Sequence, residues 1–171
     1  GYAAYILVAH LLKTDYLWQK IRMQGGAYGA AASTHGLEGI FSFLSYRDPQ
    51  VEKSLQVYED GLAHIARSGV AEEDLEKAVI AIVGKDTRPK SPSEKSVVGL
   101  KRRLYGISDE LRRKTRHEML EVTVDDVKRE AAALYDTTHS AVRIAMAEAK
   151  MLDKAEHVFN RTGQKRIIVP M

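Results

Sequence analysis

Cysteine is absent from all 171 residues, which rules out any disulfide or thiolate zinc site within the chain. That absence fits a reducing compartment. Long apolar runs are missing too: the best, Tyr2 to Leu12, is too short to span a bilayer. It has no basic leader and no small-residue cleavage pattern after it, so it reads as a buried helix and no membrane association is expected. There is little excess of either charge. The formal net charge of +3, with 29% charged and 44% hydrophobic residues, is ordinary for a soluble globular protein and excludes no function class. No internal repeat or low-complexity tract is present. What remains is a length that suits one domain and can bury a real core. Gly1 stands directly before an established helical run with no initiator methionine, so residues 1–171 are read as a single-domain fragment of something longer.

Helices dominate the pattern. Leu7, Leu11, Trp18 and Ile21 recur at helical spacing, predicting a first helix from about Ala3 to Gln24 that is covered on several sides. Two strands are expected at Ala27 to Thr34 and Gly39 to Tyr46, joined as a hairpin through His35-Gly36-Leu37-Glu38. Both faces of the second strand carry apolar groups, which implies at least partial cover on both sides. Asp48 as N-cap and Pro49 at the first helical position open the next helix, carried by Val51, Leu55, Tyr58, Leu62 and Ile65 to Gly69. Glu72, Glu73 and Asp74 start a third, which runs to Gly84. Ser91-Pro92-Ser93-Glu94 is a capping box. Gly106 and Ser108 separate this helix from the next, which continues past Met119, and Thr123-Val124-Asp125-Asp126 opens another. Ala141 to Met146 alternates like a strand, and a last helix near Met151 to Phe159 precedes Arg166-Ile167-Ile168-Val169. The order, a contiguous hairpin with its partner near Val142 far along the chain, predicts an α+β fold: helices packed on a small mixed or antiparallel sheet.

The familiar catalytic patterns are also missing. His10, His35, His64, His117, His139 and His157 never fall in H-E-x-x-H or H-x-x-E-H spacing, so no metal is expected on this chain. Each histidine reads as a surface or satisfied core residue. No G-x-S-x-G elbow accompanies a serine, which argues against a Ser-His-Asp triad. From Lys85 to Arg116 eleven basic side chains face four acidic ones, so the rest of the chain is acidic on balance. Such a run is ordinarily a solvated helix face. Its functional readings are a wall attracting acidic or polar peptide, or a nucleic-acid footprint, and only Tyr105 is interleaved for stacking, which argues against the latter.

The most informative stretch is Tyr16-Leu17-Trp18-Gln19-Lys20-Ile21-Arg22-Met23-Gln24-Gly25-Gly26-Ala27-Tyr28-Gly29. A helix ends on two glycines able to take positive φ, and a run of very small residues follows. Packing that helix on a sheet brings Arg22, in its last turn, close to Tyr28 near the start of the strand. The plain readings are an arginine complementing a helix dipole and a strand tyrosine packed in the core.

Together with Phe41-Ser42-Phe43-Leu44-Ser45-Tyr46-Arg47-Asp48-Pro49, this stretch resembles the C-terminal half of the pitrilysin/insulinase family of zinc metallopeptidases, most closely its presequence-protease branch. The likeness is dense over residues 16–49. It implies a two-layer domain with a larger sheet whose earlier strands precede Gly1, leaving an edge open to pairing with another copy. It further implies a peptidase of unfolded peptides whose zinc and general base lie in an N-terminal half, on an inverted H-x-x-E-H motif, with no cofactor on this half. Tyr28 would stabilise the oxyanion of the attacked carbonyl. Arg22 would hold a substrate carbonyl, and Gly25, Gly26 and Gly29 would let backbone approach the peptide. Ser42 and Ser45 could assist. Its partners would be peptide and the N-terminal half, in the cytoplasm of a prokaryote or an organellar matrix of a eukaryote. The alternative is a non-catalytic, peptide-holding subunit of the same fold, and a third class is a basic nucleic-acid-binding domain.

Overall fold

Leu7, Leu12 and Leu17, each fully buried, lie five residues apart on one continuous helical rod, and that cadence explains its shape. A computed structural model of the chain describes residues 1–159. The rod begins as α1 (Tyr2–Leu11) and continues through two π-helical segments, Leu12–Tyr16 and Trp18–Met23. In these the hydrogen bonds reach five residues back, as from Gln24 N–H to Gln19 O at 3.0 Å. The wider turns keep Leu12, Leu17 and Ile21 in the core. They also rotate Trp18 outward, to 42% exposure, where 3.6-residue spacing had placed it among the buried residues.

The rod is the centre of the fold. On one side lies a hairpin of β1 (Gly29–His35) and β2 (Ile40–Tyr46), antiparallel, with Gly29 opposite Tyr46 and His35 opposite Ile40. On others pack α3 (Glu72–Thr87), α5 (Asp109–Leu120) and α6 (Val124–Thr137), while α2 (Val51–Ser68) lies along α6. Leu62 and Ile65 of α2, Leu75 and Ala78 of α3, Met119 of α5, and Val127 and Ala131 of α6 close the core around Leu7 and Val8. The inner face of the hairpin joins it through Ala32 and Phe43, and the Phe43 ring stacks on Tyr58 of α2 at 4.7 Å. This is the expected α+β arrangement. The opposite face of β2, with Ile40, Leu44 and Tyr46, is exposed, so cover on both sides is not provided by the described residues.

Most helix ends sit where their caps put them. Ser91 and Glu94 form the reciprocal capping box at α4 (Pro92–Leu104), Ser108 caps α5, and Thr123 with Asp126 forms a second capping box at α6. Two expectations are corrected. Asp48 does not cap α2: its Oδ1 accepts from Gln50 N–H at 2.8 Å, a turn formed one step early, and Gln50 becomes the N-cap. Ala141 to Met146 is not a strand. Among the described residues the sheet has two strands only, and this segment runs extended and unpaired, with Val142, Ile144 and Met146 85, 89 and 93% exposed. Its alternation is that of a strand, but no described edge lies beside it to accept its hydrogen bonds. Arg143 tethers it, donating from Nη1 to Val158 O at 2.9 Å and pairing with Glu59 of α2. The expected last helix is two short ones, α7 (Ala149–Lys154) and α8 (Glu156–Phe159), and Arg166 to Val169 lies outside the described residues.

Candidate functional site

The two glycines that end the rod do different work. A Cβ on Gly25 would sit 2.5 Å from Ile21 O and 3.0 Å from Lys20 O, so only glycine fits beneath the last π turn. Gly26 instead supplies the left-handed backbone, at φ +79°. Two bonds close the turn: Gly26 N–H to Arg22 O at 3.2 Å and Ala27 N–H to Ile21 O at 3.1 Å. They pair as in a Schellman motif, each spanning one residue more because the turn is π-helical. The chain then reverses through the buried Ala27 and delivers Tyr28 at the mouth of the hairpin.

A second loop is fastened to this one. Tyr28 N–H donates to Tyr46 O at 3.1 Å, and Gln50 Nε2 donates to Gly25 O at 2.9 Å. The loop between β2 and α2 is thereby fixed against the glycine turn from both ends. Within it Arg47 has φ +50°, a left-handed conformation that costs a non-glycine residue about 1–2 kcal/mol.

Four side chains project from the joined loops. Tyr28 is 66% exposed, not packed in the core. Its ring meets that of Tyr46 edge to face, with centroids 5.9 Å apart. The Arg47 guanidinium lies 5.8 Å from the Tyr28 centroid and 5.5 Å from that of Tyr46. Arg22, one turn back on the rod, lies flat over Trp18 with its Cζ 3.9 Å from the indole centroid. Among the described residues no hydrogen bond joins Arg22 to Tyr28, and neither arginine has a carboxylate partner. The surface carries Tyr28, Tyr46 and Arg47 as one cluster and Arg22 on Trp18 as another, with neither guanidinium compensated by a carboxylate of the described residues. It can donate hydrogen bonds to carbonyl oxygens and favour negative charge. A Cβ on Gly29 would meet nothing within 4 Å, so that glycine is not demanded by local space. Ser42 Oγ shares a hydrogen bond with Ser33 Oγ at 3.0 Å across the hairpin, and Ser45 serves the Tyr58 phenol beneath it.

The model of the PreP C-terminal domain matches residues 2–148. The chain belongs to that family. Presequence protease 1, chloroplastic/mitochondrial, of Arabidopsis thaliana is 36% identical over 156 residues, which are 91% of this chain and 14% of that protein. The mitochondrial presequence protease of Saccharomyces cerevisiae is 37% identical over 128 residues, 73% of this chain and 12% of that protein. An uncharacterized protein of Borreliella burgdorferi is 35% identical over 119 residues, 70% of this chain and 12% of its own length. The chain thus spans about one eighth of the length of these relatives.

Among the described residues of this PreP C-terminal domain no three His, Asp or Glu side chains come together as a ligand set. The histidines have other surroundings. His157 meets Glu52 at 3.0 Å, His117 meets Glu121 at 3.3 Å, and His64 stacks on Tyr16 at 5.6 Å. Burial lowers the proton affinity of His10, helped by Lys13 and Lys85. The basic run of the domain is partly neutralised within itself. Asp86 of α3 meets Arg112 at 3.2 Å and Arg116 at 2.9 Å. Burial would raise the Asp86 carboxyl, but the two arginines outweigh it and hold it below its ordinary range. Among the described residues no helix is long and apolar enough to cross a membrane.

The sequence named Arg22, Gly25, Gly26 and Tyr28 as candidates and gave no site role to Trp18, Tyr46, Arg47 or Gln50, which the structure sets around them or ties to their turn. Trp18 carried a misleading signal, being apolar at helical spacing. For Arg47 no local signal existed, because a left-handed arginine is set by what the loops on either side are tied to.

Proposed function

We propose that this PreP C-terminal domain is the non-metal part of a zinc metalloendopeptidase that degrades unfolded peptides. Zinc and the general base belong to an N-terminal half of the polypeptide, and that metal, when bound, supplies an activated water. The work of this chain is done by Tyr28 and Arg22. As the carbonyl of the scissile bond gains negative charge, the Tyr28 phenol donates a hydrogen bond to that oxygen. Arg22, held flat on Trp18, donates to a backbone carbonyl of the peptide and sets its register. Gly25 and Gly26 keep the turn free of side chains where peptide passes. Peptide hydrolysis then needs both halves closed on one substrate, and this domain by itself is inert. The working compartment is an organellar matrix in a eukaryote, which the chloroplastic/mitochondrial and mitochondrial names of its relatives support, and the cytoplasm in a prokaryote.

The observation that carries this reading is the placement of Tyr28: a phenol 66% exposed, on a turn that only glycine can form, beside the Arg47 guanidinium, which no carboxylate of the described residues pairs. A core role would bury it. The test is Tyr28→Phe in the complete peptidase. Loss of one oxyanion donor costs about 100-fold or more in kcat, with KM nearly unchanged. Unchanged kinetics would remove Tyr28 from the reaction.

A further inference from the structure

We propose that Arg47 is a positioning residue for the Tyr28 phenol, an inference that rests on the oxyanion role just given to Tyr28. An exposed tyrosine on a turn would ordinarily exchange rotamers. Among the described residues the Tyr28 hydroxyl has no hydrogen-bond partner, and the groups against its ring are Tyr46 at 5.9 Å and the Arg47 guanidinium at 5.8 Å. Arg47 touches both rings at once, its second distance being 5.5 Å to Tyr46, so it braces their edge-to-face pair from outside.

Three further observations point the same way. The Tyr28 and Tyr46 backbones are hydrogen-bonded to each other, so Arg47 is anchored in the same frame as the ring it braces. No carboxylate among the described residues pairs with its guanidinium, so the charge remains available to a negative oxygen at the phenol. Asp48, the neighbouring acid, accepts from Gln50 N–H instead. Finally, φ +50° at Arg47 is a conformation that glycine or asparagine would hold more easily, yet an arginine stands there. A residue kept against its backbone preference is one whose side chain is in use.

The experiment uses the complete peptidase and four variants: Arg47→Gly, Arg47→Asn, Tyr28→Phe, and Tyr28→Phe with Arg47→Gly. Glycine and asparagine both accept the left-handed backbone, so the loop is kept while the brace is removed. Each should lower kcat on the order of 10-fold, the scale of a lost cation–aromatic contact at a reacting group. The thermal midpoint should hold or rise, a split that a purely structural arginine would not produce. Added to Tyr28→Phe, the Arg47→Gly change should cost little more, because it acts through the ring that the hydroxyl needs. Full activity of both Arg47 variants beside a crippled Tyr28→Phe overturns this inference alone. So does a loss that multiplies in full in the double variant. Unchanged kinetics of Tyr28→Phe overturns both this inference and the function proposed above.

Discussion

Replacing Gly25 with alanine tests whether the glycine turn is as tightly built as its geometry says. The new Cβ would lie 2.5 Å from Ile21 O and 3.0 Å from Lys20 O. Both are main-chain atoms that cannot swing aside, so the last π turn must unwind. Two bonds then go, Ala27 N–H to Ile21 O and Gly26 N–H to Arg22 O, and the Gln50 contact to Gly25 O shifts with them. At about 0.5–1.5 kcal/mol for each net hydrogen bond, losing two costs about 1–3 kcal/mol. For a chain of this size that lowers the melting temperature by about 2–12 °C. The assay is thermal unfolding by circular dichroism, with Gly29→Ala as control. At position 29 the Cβ is in open space and φ is not positive, so the change should stay within about 0.5 kcal/mol. Coincident melting of the two variants would refute the reasoning, since it would mean that the rod's end yields without cost.

Two other perturbations probe the opposite end of the molecule. α4 has no buried residue, so its capping box is its main local support, and Ser91→Ala should weaken it by about 1 kcal/mol. Faster amide exchange confined to residues 92–104 would confirm this, and unaltered exchange there would contradict it. Asp86→Asn should remove the link between α3 and α5. Because the folded-state carboxyl is held below its ordinary 3.8, that contribution is complete above pH 3.8 and disappears as pH falls through the depressed value. With Asp86 42% exposed, the difference from the parent should not exceed about 1 kcal/mol near neutrality and should vanish in acid. A difference that grew on acidification would reverse the sign of the argument.

Much of the fold was legible because its signals are local. The hairpin, the Ser91 capping box, the helix opening at Thr123 and the amphipathic face of α2 are each written in eighteen residues or fewer. Three of the exceptions share a physical cause, dependence on something distant in the chain. Five-residue spacing of Leu7, Leu12 and Leu17 becomes meaningful only when a hairpin and three helices surround the rod. The left-handed Arg47 follows from the fastening of Gln50 to Gly25, a whole hairpin away along the chain. Asp48-Pro49 has the chemistry of a helix opening, but Asp48 satisfied the nearer amide first. Ala141 to Met146 has the alternation of a strand without an edge to join. At the candidate site, Tyr28 and Arg22 were named from the resemblance, while the rings and the Arg47 guanidinium around them were not legible, because they are brought there by contacts between separate loops.

The unpaired ribbon from Ala141 to Met146 has a colloidal consequence. Among the described residues Val142 to Met146 finds no sheet partner, and Val142, Ile144 and Met146 are exposed, with Arg143 as the one charge of the ribbon. That charge is held by Glu59 and so is drawn away from the duty of repelling a like segment. Two copies of the domain meeting at this ribbon have what a cross-β contact needs. Its solubility by itself should therefore be limited by concentration well before heat, and should improve when Ile144 is exchanged for lysine.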